Sequence, residues 1–577
     1  MLGRVEKSLR GVGEGRLLAA YLAVLGVVGL VTVGEIGVTW DEPNYFTSSY
    51  SYLSWFGHGA SEPSALFSSI DRFWEQSHEA PPFLKLWAGL FAGFGALVFG
   101  TEDLGRLGDA YRMGSYVLFL ASVYVAFRFV RRELGPAAAW GAALSLPLVP
   151  VLFGFARLGQ LDGAAASMYL ISSLALYGAL RYGGRGRTAL AGALLGLAFA
   201  TKLSVFPLPF AAFVWVLVYG RGELRAAVVR LAAACGVGAV VFYAIWPWMW
   251  PDPVGRTGEF LFWAGGLQDE RLTFYLGEWW AGAPFHYPLA ALVALVPLAV
   301  AAAGVAGVVR LLGSGHPAAG WLLLHLGLLL AVAGSGLVPI YGGPRQFLAA
   351  FPLWAVCAGV GVGWAASRAG RPALFLAAYV ALSLPGILWT GTENSLEYYG
   401  EAVGLLPGAR ALGFETTYLA NTYKPAVEYV SEVAPEGATV YTQAGTYAVL
   451  ESYRRTGDLR EDLRPAYLSP IAPERYVWDE EPREDSYFLF LPRQSIYTDQ
   501  MLALERRPPL WEHTRGGVPL VKVYSGEAVG ETLGVEGEPE SREPGLLNAA
   551  LAGGLFLLVP FALLRAKQHQ GEERDQE

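Results

Sequence analysis

The stretch LLAAYLAVLGVVGLVTVGEIGVTWDE, residues 17–42, joins a long apolar run to two adjacent acids, Asp41 and Glu42. An apolar run of roughly 17–25 residues is long enough to cross a membrane as a helix. This run is too long for the apolar core of a signal peptide. We therefore expect a retained membrane helix that ends just before an acidic pair at the membrane surface.

The whole chain has the composition of a membrane protein. Its 577 residues are 54% hydrophobic and 16% charged, with a mean hydropathy of +0.36, whereas soluble proteins average about 25% charged residues. The low charge and the 13% aromatic content exclude a disordered chain. The net charge of −8 argues against a nucleic-acid-binding protein. Cys235 and Cys357 each lie in an apolar run, which excludes a disulfide framework and a cysteine zinc site.

We predict about twelve membrane-spanning helices, with bounds good to a few residues. They cover residues 17–38, 108–127, 136–155, 161–180, 188–201, 203–219, 229–249, 286–309, 318–338, 346–366, 372–391 and 545–564. A further apolar stretch, residues 82–100, carries Lys85 near its start. If the N-terminus is cytoplasmic and this stretch does not span the membrane, every inner loop is basic, as the positive-inside rule requires. We therefore expect residues 82–100 to form an interfacial or re-entrant helix within a first outer loop, residues 39–107.

Composition divides the chain into three predicted parts. Residues 1–391 form a transmembrane region, and residues 544–577 form the last membrane helix with a cytoplasmic tail. Between them, residues 392–543 are rich in charge and in alternating polar and apolar residues, which predicts half-buried strands. The predicted strands are Ala438–Gln443, Ser486–Leu491 and Val518–Tyr524, and the predicted helices are Lys424–Val433 and Ser495–Arg506. The fold class is an all-α polytopic membrane protein with a small α/β extracytoplasmic domain before the last helix.

Three acids on the outer side are candidate reactive residues. Asp41 and Glu42 follow the first predicted helix, and Asp162 opens the fourth. Interfacial solvation would also explain the pair, and a helix N-cap would also explain Asp162. The topology nevertheless places all three on one face of the membrane. Two carboxylates there suit general-base activation of an acceptor hydroxyl, with a second acid orienting it.

Cations on the same face are candidates for binding an anionic group. Lys202 lies between two apolar segments, where an unpaired ammonium is costly. Arg345 follows a Gly-Gly-Pro turn, and arginine binds phosphate through two parallel hydrogen bonds. The other candidates are Lys85, Arg106 and Arg112, with His78 and Glu79 before a rigid Pro-Pro turn. Snorkelling to lipid headgroups is the simpler alternative for each cation, and His78 has no second histidine at metal-ligand spacing.

Aromatic residues cluster at Trp246–Trp250, Trp279–Trp280 and Phe285–Tyr287. An interfacial aromatic belt explains such clusters without any function. The alternative is a groove for a sugar or an isoprenoid chain.

In their order along the chain, these motifs resemble those of the lipid-carrier-dependent glycosyltransferases of the C-type membrane superfamily. That family includes the protein O-mannosyltransferases and the aminoarabinose transferases that modify lipid A. The positions that match are Asp41 and Glu42; His78, Glu79, Pro81 and Pro82, with Ala80 intervening; Arg106 or Arg112; Arg157 and Asp162, at a spacing one residue longer; Gly196–Lys202; and the segment Tyr398–Tyr418.

The resemblance implies a C-type glycosyltransferase fold and an inverting transfer of a hexose or pentose from a polyprenyl-phosphate donor. Asp41 would be the general base, and Glu42 and Asp162 would orient the acceptor and stabilise positive charge on the sugar. The implied donor-binding residues are Lys85, Arg106, Arg112, Lys202, Arg345, His78 and Glu79. Of these, Arg112, Lys202, Arg345 and Lys85 would stabilise the leaving phosphate. We expect no metal and no cofactor, because the donor has no diphosphate for a metal ion to bridge.

We expect a multi-pass plasma-membrane protein, with both termini in the cytoplasm and the active site outside. The high Gly and Ala content suggests a GC-rich bacterial genome. The acceptor, whether protein, lipid or glycan, is not given by the sequence. The alternatives are a transporter or flippase of polyprenyl-linked sugars, a membrane polysaccharide polymerase or ligase, and a receptor-like protein. Transporters commonly show internal repeats, which this sequence lacks, and a receptor would leave Lys202 and Asp162 unexplained.

Overall fold

The computed structural model describes residues 13–100, 104–220, 222–266, 272–336, 338–442, 447–467, 482–483 and 485–574. The first helices in the chain are α1 Glu14–Thr32, α2 Glu42–Ser61, α3 Ile70–Trp74, α4 Phe83–Phe99, α5 Leu104–Glu133, α6 Pro136–Ser145, α7 Pro150–Ala156, α8 Leu161–Tyr182, α9 Arg185–Phe199, α10 Pro207–Tyr219, α11 Leu224–Ala244 and α12 Pro253–Gly266. They are followed by α13 Tyr287–Ala294, α14 Leu298–Leu312, α15 Pro317–Ala333, α16 Ala350–Arg368, α17 Pro372–Thr390, α18 Leu405–Ala411, α19 Lys424–Val433, α20 Tyr447–Thr456, α21 Asp499–Glu505, α22 Gly526–Gly530 and α23 Leu546–Arg574. The strands are β1 Thr273–Tyr275, β2 Glu278–Trp280, β3 Thr439–Thr442, β4 Arg464–Tyr467, β5 Ser486–Phe490, β6 Trp511–Arg515, β7 Val518–Ser525 and β8 Ser541–Arg542.

Within the described residues, seven helices are long and apolar enough to cross a membrane, or eight if α6 and α7 form one span bent by 67°. Each predicted segment coincides with at least one helix, so a multi-pass membrane architecture is confirmed. The count of about twelve has only partial support, because four of the predicted segments form shorter helices: Arg185–Phe199, Leu203–Tyr219, Leu298–Leu312 and Pro317–Ala333. Proline explains one break that the sequence analysis missed. Residues 286–309 form two helices because Pro297, which has no N–H to donate, separates α13 from α14.

Helix α16 lies at the centre of the membrane region. Its residues are buried over nearly its whole length, and it packs against both α6 and α14. Glycines allow the helix backbones to approach closely, as is common between membrane helices. A Cβ on Gly359 would lie 2.1 Å from the backbone nitrogen of Ala142, and a Cβ on Gly361 would lie 2.1 Å from the carbonyl oxygen of Ala303.

The outer domain contains a five-stranded mixed sheet in the order β4-β3-β5-β7-β6. Strand β3 is parallel to β4 and β5, and β7 is antiparallel to β5 and β6. Alternate residues of β5 face opposite sides: Leu489 packs with the buried residues of α19 and α20, and Phe488 and Phe490 pack with those of α21. The predicted α/β character of this region is therefore present.

The local predictions for the outer domain agree in most places. Helix Lys424–Val433 and the three predicted strands are found, although Gln443 lies outside the described residues. The sequence analysis missed α20, β4 and β6. The predicted helix Ser495–Arg506 is shorter, because a turn at Gln494–Ile496 precedes α21.

The outer domain packs directly on the segment that links α1 to the acidic pair. The Tyr453 hydroxyl accepts a hydrogen bond from the backbone of Val38 at 2.7 Å, and Lys424 Nζ donates to the Gly34 carbonyl at 3.1 Å. A Cβ on Gly37 would lie 2.1 Å from the Asn421 carbonyl oxygen, so only glycine permits this approach. The segment leading to Asp41 is thus held between the membrane helices and the outer domain.

The first outer loop is also well packed. Helix α4 lies against α2 and α5; its predicted interfacial or re-entrant position stays a prediction. An aromatic core joins this loop to the segment after α11, with Tyr52, Trp55, Trp74, Trp246 and Trp248 all buried. The tryptophans at 246 and 248 therefore pack inside the protein rather than forming a belt or a groove.

Candidate active site

Arg345 connects the two predicted reactive acids. Asp41 lies directly before helix α2, Asp162 lies in the first turn of α8, and Arg345 lies in the short 3-10 helix Gly343–Phe347. Arg345 Nη2 is 2.8 Å from Asp41 Oδ2, and its Nε is 3.1 Å from Asp162 Oδ2. The ends of the first and fourth predicted segments therefore converge on one guanidinium group.

Lys202 completes the ionic cluster from a third side. It lies in the short connection after α9, and its Nζ is 2.5 Å from Asp162 Oδ1 and 3.1 Å from Gln346 Oε1. Asp162 is buried and accepts from both cations, whereas the side chain of Asp41 is 32% exposed and is paired with Arg345. We call these four residues, Asp41, Asp162, Lys202 and Arg345, the ionic cluster.

The loop that carries Arg345 requires glycine at two successive positions. Gly342 and Gly343 have φ values of +64° and +69°, a left-handed conformation that side chains other than glycine rarely adopt. A Cβ on Gly343 would also lie 2.5 Å from the ring of Tyr418. The Gly-Gly-Pro motif thus lets the chain turn sharply just before Arg345.

Glu42 lies next to Asp41 in the sequence but has a different environment. Arg112 donates to both of its carboxylate oxygens at 2.7 Å. The backbone N–H groups of Gly159 and Thr39 and the Thr39 hydroxyl donate to it as well, at 2.7 to 2.9 Å. Burial raises the pKa of Glu42. The charge and hydrogen bonds of Arg112 and the backbone donors lower it by more than burial raises it, so the pKa lies below its ordinary value.

Arg112 uses its whole hydrogen-bonding capacity within the described residues. Besides the two bonds to Glu42, it donates to the carbonyls of Val33, Ile36 and Gly37 at 2.7 to 3.1 Å. A guanidinium has five N–H donors, so in this conformation none is left for a phosphate. The Glu42–Arg112 pair joins the end of α1 to α2, α5 and the turn before α8.

Lys85 is similarly occupied. It is fully buried in α4, and its Nζ donates to the carbonyls of Ser77 and Ala80 at 2.5 and 2.7 Å and contacts the Ser77 and Tyr52 hydroxyls at 3.2 and 3.4 Å. These contacts hold the turn that precedes α4. Lys85 was predicted to lie on the same face as the acids, but its hydrogen bonds go to Ser77, Ala80 and Tyr52 and not to the ionic cluster.

The other predicted donor-binding residues are His78 and Glu79, in the turn before α4, and Arg106, in α5. The His78 ring stacks on Trp248 and its Nε2 is 3.2 Å from Glu259 Oε1, while Glu79 accepts from the Ser77 hydroxyl. Arg106 is exposed near the beginning of α5. Among the described residues, no group of three or more His, Cys, Asp or Glu side chains could hold a metal ion.

Two polar residues near the cluster were missed by the sequence analysis. Gln346 binds Lys202, and its only signal was that it follows Arg345 in the chain. Gln160 donates to the Thr39 hydroxyl at 2.6 Å and so joins the turn before α8 to the segment before Asp41. Single glutamines have no recognisable spacing in a sequence, so these two could be found only from their contacts in the fold.

The comparisons with known proteins agree with this architecture. A family model described as dolichyl-phosphate-mannose-protein mannosyltransferase matches residues 84–250. No curated protein matches the chain by sequence. The fold is similar to that of ArnT from Cupriavidus metallidurans in the apo state, with a TM-score of 0.50 and 16% identity, covering 91% of this chain and 99% of that one.

Two further solved structures match with TM-scores below 0.5. ArnT from Cupriavidus metallidurans bound to undecaprenyl phosphate has a TM-score of 0.49 and 16% identity, covering 91% of this chain and 100% of that one. The oligosaccharyltransferase AglB from Archaeoglobus fulgidus, in complex with an inhibitory peptide and a dolichol-phosphate, has a TM-score of 0.41 and 13% identity, covering 75% and 64%. The family match over residues 84–250 and the shared fold confirm the resemblance that the motifs predicted, to the lipid-carrier-dependent glycosyltransferases of the C-type membrane superfamily.

Proposed function

We propose that this protein transfers a sugar from a polyprenyl-phosphate donor to an acceptor on the extracytoplasmic side of the membrane. The observation that carries the proposal is the ionic cluster, in which Arg345 bridges Asp41 and Asp162 and Lys202 pairs with Asp162. It places the partly exposed carboxylate of Asp41 beside Arg345, in a cluster that also holds Lys202. The family match over residues 84–250, which include Asp162 and Lys202, supports a lipid-phosphate sugar as the donor.

In the proposed reaction, Asp41 is the general base. It takes the proton of the acceptor hydroxyl or amine as the acceptor atom forms a bond to the anomeric carbon of the sugar. The bond from that carbon to the phosphate oxygen breaks on the opposite face, and its electron pair leaves with the phosphate. The product therefore has the inverted configuration. Asp41 suits this role because its side chain is the more accessible of the two cluster acids.

Arg345 and Lys202 stabilise the leaving phosphate in this scheme. Nη1 of Arg345 donates no hydrogen bond to the described residues, and Lys202 donates to two acceptors out of the three that an ammonium can serve. Donors fixed beside developing negative charge lower the barrier because they need no reorganisation. Asp162, bound by both cations, holds them in position.

Glu42 and the remaining candidates have supporting roles in the proposal. The Glu42–Arg112 pair fixes the backbone around Asp41, and Lys85 fixes the turn before α4. We therefore assign them to positioning rather than to direct contact with the donor. We propose that no metal ion is required. A chelator that abolishes transfer by the purified protein, with recovery on adding a divalent cation, would contradict this part.

The proposal also covers orientation and domain roles. We place both termini in the cytoplasm and the ionic cluster outside, because the predicted inner loops are basic. We propose residues 1–391 as the catalytic region and the domain within residues 392–543 as a cover on the outer face. Cysteine labelling of single-cysteine variants in intact cells tests this orientation directly.

The decisive experiment is a transfer assay. Purified protein in nanodiscs is incubated with radiolabelled polyprenyl-phosphate hexose or pentose and an extract of candidate acceptors, and the anomeric configuration of the product is determined by NMR. We expect transfer with inversion by the wild-type protein and by Glu62→Gln, an exposed acid of the same loop, and not by Asp41→Asn. In sealed proteoliposomes, movement of the intact lipid-linked sugar across the membrane without transfer would favour the flippase alternative.

A further inference from the structure

Arg493 is a buried arginine of the outer domain that the mechanism above does not use. It follows strand β5 and begins a short turn, in which its N–H donates to the Leu491 carbonyl at 2.7 Å. The Thr417 hydroxyl donates to the carbonyl of the preceding Pro492 at 3.0 Å. The residue is only 4% exposed. Its backbone and side chain are therefore held in one place.

The guanidinium of Arg493 lies beside the ionic cluster. Its Cζ is 5.0 Å from the ring centre of Trp40, the residue before Asp41. Its Nη2 would be 3.7 Å from a Cβ placed on Gly342, and Cδ of Arg345 would be 2.9 Å from the same atom. Two arginines, one from the membrane region and one from the outer domain, thus approach Gly342 together.

Arg493 has unused hydrogen-bond donors at this position. Its Nε donates to the Ser495 hydroxyl at 3.1 Å and is 3.9 Å from Glu415 Oε1, while Nη1 and Nη2 donate no hydrogen bond to the described residues. Both Nη atoms keep some accessible surface although the residue as a whole is 4% exposed, so a ligand can reach them. The side chains of Arg345 and Arg493 are neighbours at Gly342, where their like charges favour a bound anion.

Glu415 does not supply that anion. Its Oε1 accepts a hydrogen bond from the backbone of Ser495 at 2.7 Å. Burial raises the pKa of Glu415 above its ordinary value, although Arg493 and the Ser495 hydrogen bond act in the opposite direction. The pair is therefore a loose one, and its geometry leaves the Nη groups of Arg493 to another acceptor.

We propose that Arg493 donates its Nη groups to the phosphate of the lipid-linked donor, alongside Arg345, so that the outer domain contributes a residue to the donor site. This inference rests on the proposed function. The phosphate is the ligand group that fits, because it offers several acceptor oxygens to paired guanidinium donors. An acceptor hydroxyl requires a base, which Asp41 provides, rather than a third cation.

The test compares two ligands that differ only in the phosphate. Binding of a polyprenyl phosphate and of the matching uncharged polyprenol is measured on the full-length protein in nanodiscs. The variants are Arg493→Gln and Arg493→Lys, and the control is Arg506→Gln, an exposed arginine of the same domain. We expect Arg493→Gln to weaken phosphate binding by about tenfold, the effect of losing charge-assisted hydrogen bonds, with polyprenol binding unchanged.

The lysine variant gives a second, independent readout. Lysine keeps the charge but lacks the planar fork of arginine, so we expect Arg493→Lys to lose several-fold of the preference for phosphate. The control should equal the wild type. Equal loss of both ligands in the Arg493 variants would show a merely structural role, and an unchanged preference for phosphate in either variant would overturn the inference.

The outcome separates this inference from the proposed function. Wild-type sugar transfer together with an unchanged phosphate preference in Arg493→Gln would overturn the role of Arg493 alone. A reduced preference in a protein that transfers no sugar would overturn the function and keep the phosphate site. A wild-type protein that does not distinguish polyprenyl phosphate from polyprenol would overturn both.

Discussion

Asp41 and Glu42 are neighbours in the chain, yet their surroundings divide them into two kinds of residue. The carboxylate of Asp41 is 32% exposed and pairs with Arg345. The carboxylate of Glu42 is buried and accepts five hydrogen bonds, two from Arg112 and three from Gly159 and Thr39. A carboxylate with free, accessible lone pairs can accept a proton, whereas one with five donors around it serves to fix its neighbours.

The same contrast separates the cations. Lys202 and Arg345 bind side-chain acids and keep donors unused, whereas Arg112 and Lys85 bind mainly backbone carbonyls or a buried partner. Charge alone does not distinguish the two sets. What distinguishes them is whether the fold has already supplied every acceptor, and the following predictions test this difference.

The largest expected effect is on catalysis at Asp41. Asp41→Asn keeps the shape but removes the base, so we expect the rate constant of transfer to fall by about a hundred- to ten-thousand-fold. The midpoint of thermal unfolding should change by no more than a few degrees. Single-turnover kinetics with saturating donor measure the rate constant. A variant that keeps more than a tenth of the wild-type rate would contradict the assignment of the base.

Glu42→Gln should show the opposite profile. Removing the charge leaves Arg112 buried without its counter-ion, and breaking such a pair costs about 3–5 kcal/mol. We expect a marked drop in the unfolding midpoint and in the yield of monodisperse protein. Correctly folded molecules, selected by size exclusion, should retain transfer activity. Loss of activity without any loss of stability would place Glu42 in direct contact with a substrate.

A matched pair of lysines gives the next smaller effect. Lys202→Gln should raise the donor dissociation constant by about tenfold, because it removes one charge-assisted contact, with little change in stability. Lys85→Gln should instead lower stability by about 1–3 kcal/mol, since the Ser77 and Ala80 carbonyls lose their donor. Donor binding and thermal unfolding are measured on both variants. Equal effects of the two variants on donor binding would refute the distinction.

The smallest expected effect is on the pH dependence of stability, which should differ between Glu42 and Glu397. Glu397 is a buried acid that accepts a hydrogen bond from the Asn421 amide at 2.9 Å. Burial raises the pKa of Glu397 from 4.5 to about 7. The folded protein therefore holds a proton between these pH values that the unfolded chain has released. The Glu397 carboxyl therefore makes the protein less stable as the pH rises from 4.5 to about 7, and above about pH 7 its contribution no longer changes with pH.

Glu397→Gln should remove that dependence, so the variant gains stability relative to the wild type as the pH rises from 4.5 to 7. For Glu42 the sign is reversed. Its pKa is lowered in the folded protein, so the stability it provides is present above pH 4.5 and is lost as the pH falls below that value. Thermal unfolding of both variants from pH 3.5 to 8 measures this. If the stability of the wild type and of Glu397→Gln changes with pH in the same way, Glu397 is not held protonated in the folded protein.

The sequence was sufficient for the features that depend on local pattern. Long apolar runs predicted the helices, and alternating residues predicted β5 and β7. Asp162 and Lys202 could be identified because a charge at the edge of an apolar segment is costly. Their mutual contact at 2.5 Å agrees with that reasoning.

Other features depend on contacts between distant parts of the chain. The full occupation of Arg112 comes from backbone carbonyls at Val33, Ile36 and Gly37, and no side-chain pattern encodes it. Arg493 is separated from Trp40 by most of the chain and lies in a domain whose sequence pattern indicated only strands and helices. Such residues become visible only when the outer domain is seen packed on the membrane region.

The most direct test of the central claim is a structure of the protein with a bound polyprenyl phosphate, determined by electron cryomicroscopy in nanodiscs. We predict that the phosphate lies within hydrogen-bond reach, about 2.6–3.2 Å, of Lys202 Nζ and the Arg345 guanidinium, with Asp41 open to the remaining space. The Glu42–Arg112 pair should keep all its contacts. A phosphate bound at Lys85 or Arg112, with the ionic cluster unchanged, would contradict the account.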